Sequence, residues 1–274
     1  MASVNRKVLP GFSLTLGYTI FYLSLLVLLP ITACFVKAGS LSFAEFWGAV
    51  WTERARAAYL LTFGASFAAA VINVLLGSLI AWVLVRYSFP GKRLIDSLVD
   101  IPLALPTAVG GLVYASLYVE SGWLGRYLVP LGIQAAYSRL GIVLVLVFVG
   151  LPFVVRTVQP VLEDFDPEAE EASSSLGATR WQTFHAVILP ALYPALITGF
   201  ALAFARSIGE YGSVVFVSGN MPYKTEIAPI LIVARLEEFA YGEATAIAVV
   251  LLIISFSMLL LVNALESWSR RYAR

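Results

Sequence analysis

Six stretches of this chain are long enough and free enough of charge to cross a hydrocarbon core, and no other feature restricts the fold so strongly. The first, Phe12 to Val36, holds no Asp, Glu, Lys or Arg over roughly 25 residues, enough for a helix spanning a core of about 30 Å. The others are Ala57–Val85, about Ile101–Val119, about Leu140–Val155, Ala191 to about Val217, and Ala244–Leu265. Composition agrees: 60% hydrophobic and 13% charged residues with a mean hydropathy of +0.87 describe an integral membrane protein rather than a globular one. The expected class is all-α and polytopic.

Arg6 and Lys7 ahead of the first run, and Ile31-Thr32-Ala33-Cys34 near its end, resemble a signal peptide with a lipoprotein cleavage box. The run is too long for that, because a signal core is about 7 to 15 residues, and Cys34 reads as a small apolar side chain. One cysteine excludes an internal disulfide and one histidine excludes a Cys/His metal cluster. Eighteen basic against 17 acidic residues, net +1, give no electrostatic case for nucleic acid.

An even number of spans puts both termini on one side. That side carries Arg6, Lys7, Arg86, Lys92, Arg93, Arg156, Arg180, Arg270, Arg271 and Arg274, and the opposite side Lys37, Arg54, Arg56, Arg126, Arg139, Lys224 and Arg235. The tight basic clusters assign the termini to the cytoplasm. Leu41–Arg56, with Phe43, Phe46, Trp47 and Trp51 among charges, suits a segment in the outer interface that does not cross. There is no internal repeat and no flexible linker, so one membrane domain is expected.

Two spans depart from plain helix. The third holds Pro102 and Pro106, four apart, then Gly110-Gly111. Its helix must kink or open, and the freed backbone groups need protein or water; a kink with a packing role only is the alternative. The fifth holds Arg206 and Glu210, four apart and expected on one helical face, each costing about 2.5 to 3.5 kcal/mol at a span centre. They line or gate a route, or else form a structural pair. Catalytic motifs are missing: there is no GxxxxGK[ST] phosphate loop, no GxSxG and no HExxH, so no ATP site and no metal site are expected. His185, in a polar stretch, suits contact with a partner or solvent. The acids Glu163, Asp164, Asp166, Glu168, Glu170 and Glu171 suit a solvated helix start rather than a metal site.

That polar stretch, Asp166 to Pro190, carries its own folding instructions. Asp166 caps a helix, Pro167 opens it, and Gly177 ends it. Thr179 with Gln182 forms a capping box for a second helix. The order Glu171-Ala172-Ser173, three residues, Gly177, nine residues, Val187-Ile188-Leu189-Pro190 resembles the EAA motif of ABC importer permeases, with Ser173 for the second alanine and Val187 for isoleucine.

The resemblance implies a type I ABC importer permease fold over about residues 57–265. It makes residues 1–56 an N-terminal stub, added span and external segment, and 266–274 a basic cytoplasmic tail. In such permeases the loop forms a coupling helix, here about 167–177, that docks on an ATPase; Glu171, Ala172, Ser173, Gly177, Leu189 and Pro190 would be its motif positions. Leu103–Leu112 and Ala205–Asn220 are similar to the sulfate and molybdate permease group, and Gly209-Glu210-Tyr211-Gly212-Ser213 with Ser218-Gly219-Asn220 is most similar to the T-subunit type of sulfate/thiosulfate permease. The implied partners are an ABC ATPase dimer that binds ATP and Mg, a homologous second permease, a periplasmic sulfate-binding protein and the lipid of a bacterial inner membrane. The implied pathway residues are Pro102, Pro106, Arg206, Glu210, Tyr211, Ser213 and Asn220. Molybdate or tungstate is the alternative cargo, and a secondary transporter with Glu210 as a proton site is the remote one.

Overall fold

The computed structural model describes residues 12–272, and no strand occurs among the described residues. Helix α1 runs Phe12–Leu23, passes through a π turn at Ser24–Leu28 and continues as Leu29–Gly39. Then come α2 (Phe43–Val50), α3 (Glu53–Arg86), α4 (Lys92–Val99), α5 (Ile101–Ala104), α6 (Thr107–Tyr118), α7 (Gly125–Leu128), α8 (Arg139–Glu163) and α9 (Pro167–Ser175). Helix α10 (Arg180–Ile208) is followed by α11 (Val214–Val217), α12 (Ala228–Glu237) and α13 (Tyr241–Tyr272).

Among the described residues, five helices are long and apolar enough to cross a membrane: α1, α3, α8, α10 and α13. The 34 residues of α3 reach about 51 Å at 1.5 Å per residue. Its buried residues are mostly small, among them Ala55, Ala58, Thr62, Ala65, Ser66, Ala69, Ala70 and Gly77, with Tyr59, Asn73 and Leu84 as the larger members. Lipid tails offer no hydrophobic drive for helices to associate, so close approach and van der Waals contact must supply it. Around Val154 of α8 this is visible: a Cβ on Gly77 of α3 would lie 2.9 Å from the Val154 side chain, and one on Gly199 of α10 would lie 3.2 Å from its Cα. One core joins Ala81, Leu84, Val155, Val158, Leu162, Ile188 and Leu192. A second joins Ala65, Ala69, Ile142, Val145 and Leu146 to Val214, Val217, Ile227 and Ile230, and a third joins α2 and α3 to α12 and α13.

The third span opens as its prolines predict, into two pieces, α5 and α6, because Pro106 has no N–H for the ladder and Leu105 ahead of it is extended at ψ 132°. Two expectations change. The fifth span does not run to Val217: α10 stops at Ile208, and Val214–Val217 is one separate turn. Glu210 therefore lies two residues beyond the helix, and its pairing with Arg206 comes from the turn, not from a shared helical face. The fourth span extends past Val155 to Glu163, carrying Arg156 inside the helix. The segment 41–56 holds α2, opened by a capping box in which Ser42 accepts from Glu45 N–H and the Glu45 carboxylate accepts from Ser42 N–H at 2.8 Å. Those bonds from the Ser42 hydroxyl and backbone hold the Glu45 carboxyl below its usual range.

Candidate functional site

Two sites emerge at opposite ends of α10. At its beginning lies the polar loop, whose caps form as the sequence prescribes. Asp166 accepts from Glu168 N–H at 2.9 Å. Helix α9 closes with the hydrogen bonds of a Schellman motif, Ala178 N–H to Ser173 O and Gly177 N–H to Ser174 O, with Gly177 left-handed at φ +82°. Thr179 and Gln182 make the reciprocal capping box. Ser173 and Thr183 bond at 3.0 Å and clasp the two helices into one unit. Arg86, at the C-terminal end of α3, pairs with Glu170 and lies over the rings of Trp82 and Phe165.

What this unit presents is an open face. Glu171 and Ala172 are exposed, Leu176 is 90% exposed and Trp181 70%, while His185 packs edge-on to Trp181. Leu189 and Pro190 end a π turn, Phe184–Ile188, in which Leu189 N–H reaches back to Phe184 O. Pro190 has no N–H to give, so the ladder widens just ahead of it. The same grammar, a π turn followed by Leu-Pro, occurs at Ser24–Leu28 before Leu29-Pro30.

At the other end of α10 the chain folds into a loop, 209–227, that meets α6. Glu210 is 2% exposed and accepts three hydrogen bonds: from Arg206 Nη1 at 2.5 Å, and from Ser213 N–H and Oγ at 2.9 Å each. A buried charge so satisfied is held firmly. The Arg206 side chain stays one-third exposed, so Glu210 orients a guanidinium whose far edge is open. Ser213 is fully buried and Tyr211 exposed. Asn220, left-handed at φ +51°, is tied by its side chain to Ser218 and to Val215 O.

The two irregular spans predicted from sequence come together here. A Cβ on Gly111 of α6 would overlap the Ser213 carbonyl, and one on Gly212 would overlap the Thr107 hydroxyl. Pro102 is buried and Pro106 exposed. The break at Leu105-Pro106 thus seats the start of α6 against the Glu210 loop. Beyond it, Arg54 of α3 makes a bidentate pair with buried Glu226 at 2.7 and 2.6 Å, and Thr62 Oγ accepts from Ala228 N–H at 2.8 Å.

Sequence reading missed Glu226 and the cluster in which Arg156 of α8 binds Asp96 and Asp100. The signal for the latter was available: Asp96 on amphipathic α4 and Asp100 at its C-terminal cap are four apart, with an arginine inside an apolar helix to pair with them. The two hydrogen bonds from Arg156 hold the Asp100 carboxyl below its ordinary value.

Comparison with known proteins follows this geometry. Residues 73–271 match the family described as "Binding-protein-dependent transport system inner membrane component". The chain is 52% identical over 255 residues to the "Sulfate transport system permease protein CysT" of Synechocystis sp. (strain ATCC 27184 / PCC 6803 / Kazusa), covering 93% of this chain and 89% of that protein. It is 47% identical to the protein of that name from Escherichia coli (strain K12), covering 96% and 95%. Among solved structures, a bacterial ABC transporter involved in the import of the acidic polysaccharide alginate superposes with a TM-score of 0.76 at 15% identity, covering 96% of each chain. An amino acid ABC transporter gives 0.55 at 21%, covering 85% of this chain and 99% of that one.

Proposed function

The chain belongs to the family of binding-protein-dependent transport system inner membrane components, and from that premise we propose that it is the permease subunit of an ATP-driven importer for sulfate and thiosulfate. It is a multi-pass inner-membrane protein with the type I ABC importer permease fold. The observation that carries the substrate is similarity along nearly the whole chain, at about half identity, to proteins named sulfate transport system permease.

The loop of α9 and the start of α10 is the docking face for an ABC ATPase dimer. Glu171, Ala172 and Ser173 give it a helix surface of small residues, Gly177 the sharp stop, and Leu189-Pro190 the root into α10. Exposed Leu176 and Trp181 are apolar anchors for that partner. ATP and Mg bind on the ATPase, and closure of its dimer pushes the docked loops together. The rigid unit transmits this to α8 and α10 and reorients the pathway between this chain and a second, homologous permease. Both termini are cytoplasmic, and α5–α6 supplies the third of six crossings.

A sulfate dianion gives up strong hydration on entering a site of low dielectric, so tight capture needs several donors. High affinity belongs to a periplasmic sulfate-binding protein. The pore offers a weakly attractive route, in which Arg206 is the anion contact, Glu210 and Ser213 hold it in place, and Pro106, Tyr211 and Asn220 shape the gate. Uptake of labelled sulfate by cells expressing the complex, with and without the ATPase, tests the reading, with thiosulfate and molybdate as competitors. Uptake that needs the ATPase and yields to thiosulfate supports it. Uptake driven by a proton gradient alone, or competition by molybdate only, refutes it. Arg206→Ala and Glu210→Ala are each expected to lower uptake at normal expression. Gly177→Asp and Glu171→Lys are expected to leave insertion intact while losing both uptake and co-purification of the ATPase.

A further inference from the structure

We propose that Arg156 is a positioning residue of the transport cycle, linking the inner end of α8, and with it the α9 loop, to the α4–α5 segment that leads into α6. Its guanidinium uses all five of its N–H groups. Nε and Nη2 grip the two Asp100 carboxylate oxygens at 2.9 and 2.6 Å. Nη2 also donates to Asp96 O at 2.8 Å, and Nη1 to Asp96 Oδ1 at 2.6 Å and Gln159 Oε1 at 2.7 Å.

Such a set is geometry more than glue. The Arg156, Asp96 and Asp100 side chains are 33%, 38% and 45% exposed, and ion pairs that wet contribute about 0–1 kcal/mol. The planar fork, however, fixes distance and angle between two helices at once, which a lysine ammonium cannot do. The position explains why that matters. Seven residues after Arg156 helix α8 ends, and the chain passes through Asp164 and Phe165 into the Asp166 cap of α9. On the other side, Asp100 closes α4 and the chain goes on through α5 to Pro106. There α6 begins and meets Gly212 and Ser213 beside Glu210. A push on α9 therefore reaches the Glu210 loop through packed helix, guanidinium, helix and loop, a contiguous route of the kind that can carry coupling.

This inference rests on the reading of α9 as the ATPase docking helix. The test is the full complex with its ATPase and binding protein in proteoliposomes, with sulfate uptake and ATP hydrolysis measured in the same vesicles. R156Q is expected to assemble and hydrolyse ATP while sulfate moved per ATP falls about fivefold or more. R156K is expected not to restore the ratio, and D100N, which keeps Arg156 but loses the carboxylate grip, to share the defect. An unchanged ratio in R156Q and D100N overturns the inference alone. Loss of assembly with a parallel loss of both activities in all three variants overturns it too, showing a structural role. A wild-type complex whose uptake ignores ATP overturns the reading of α9 and the inference with it.

Discussion

At the scale of single residues, two glycines that look alike in sequence do different work, and substitution separates them. Gly177 sits at φ +82° with no neighbour within 4 Å of a would-be Cβ, so alanine there is strained but meets nothing. The expected loss is about 1 kcal/mol, read as a small fall in melting temperature and a partial fall in ATPase binding; asparagine, which tolerates the left-handed region, restores much of it. Gly111 faces the opposite constraint. Its Cβ would occupy the Ser213 carbonyl, and backbone cannot swing aside as a flexible side chain does. Gly111→Ala is expected to reach or exceed the upper end of the about 1–3 kcal/mol cost of overpacking and to abolish uptake while leaving ATPase docking intact. Equal effects of the two changes on both readouts would contradict this division.

At the scale of elements, legibility followed chemistry. The caps of the α9 loop were readable, because Asp166, Gly177 and the capping box act through neighbours in sequence; the π turn at Phe184–Ile188 was not. The break in the third span was equally visible, since Pro106 acts locally. The end of α10 was not, because Val214–Val217 is as apolar as any span and only Gly209, Gly212 and Gly219 hinted that the helix had stopped. Charge partners were readable only at short range: Arg206 with Glu210 was legible at a spacing of four, whereas Arg156 with Asp100, Arg86 with Glu170 and Arg54 with Glu226 each join positions far apart in sequence. The last pair supports a prediction. Glu226 is 3% exposed, so Arg54→Ala strands a buried carboxylate and is expected to cost toward about 3 kcal/mol, whereas the Arg54→Ala, Glu226→Ala double change removes the stranded charge and should recover a substantial part. Thermal melting of the detergent-solubilised chain measures both, and a double change as costly as the sum of its parts would refute the account.

At the scale of the whole molecule, burial divides the chain unevenly. The cores draw on α2, α3, α4, α8, α10, α11, α12 and α13, whereas the most apolar stretch of α1 has none of its residues buried. Toward its C-terminal end α1 is held: Ala38 is 2% exposed, Cys34 Sγ lies 4.0 Å from Thr245 O, and Leu41 just beyond packs where a side chain on Gly242 would stand. Since helices in lipid gain stability from packing and not from leaving water, α1 adds little to the stability of the rest. A chain lacking residues 1–39 is therefore expected to insert, to keep its remaining orientation through Lys92 and Arg93, and to melt close to the full-length protein. Cysteine accessibility from each side of the membrane, with a melting curve in detergent, checks this. Loss of a cooperative transition would mean that α1 is part of the folding unit; a retained fold with lost uptake would place its role on the face it turns to lipid or to a second permease.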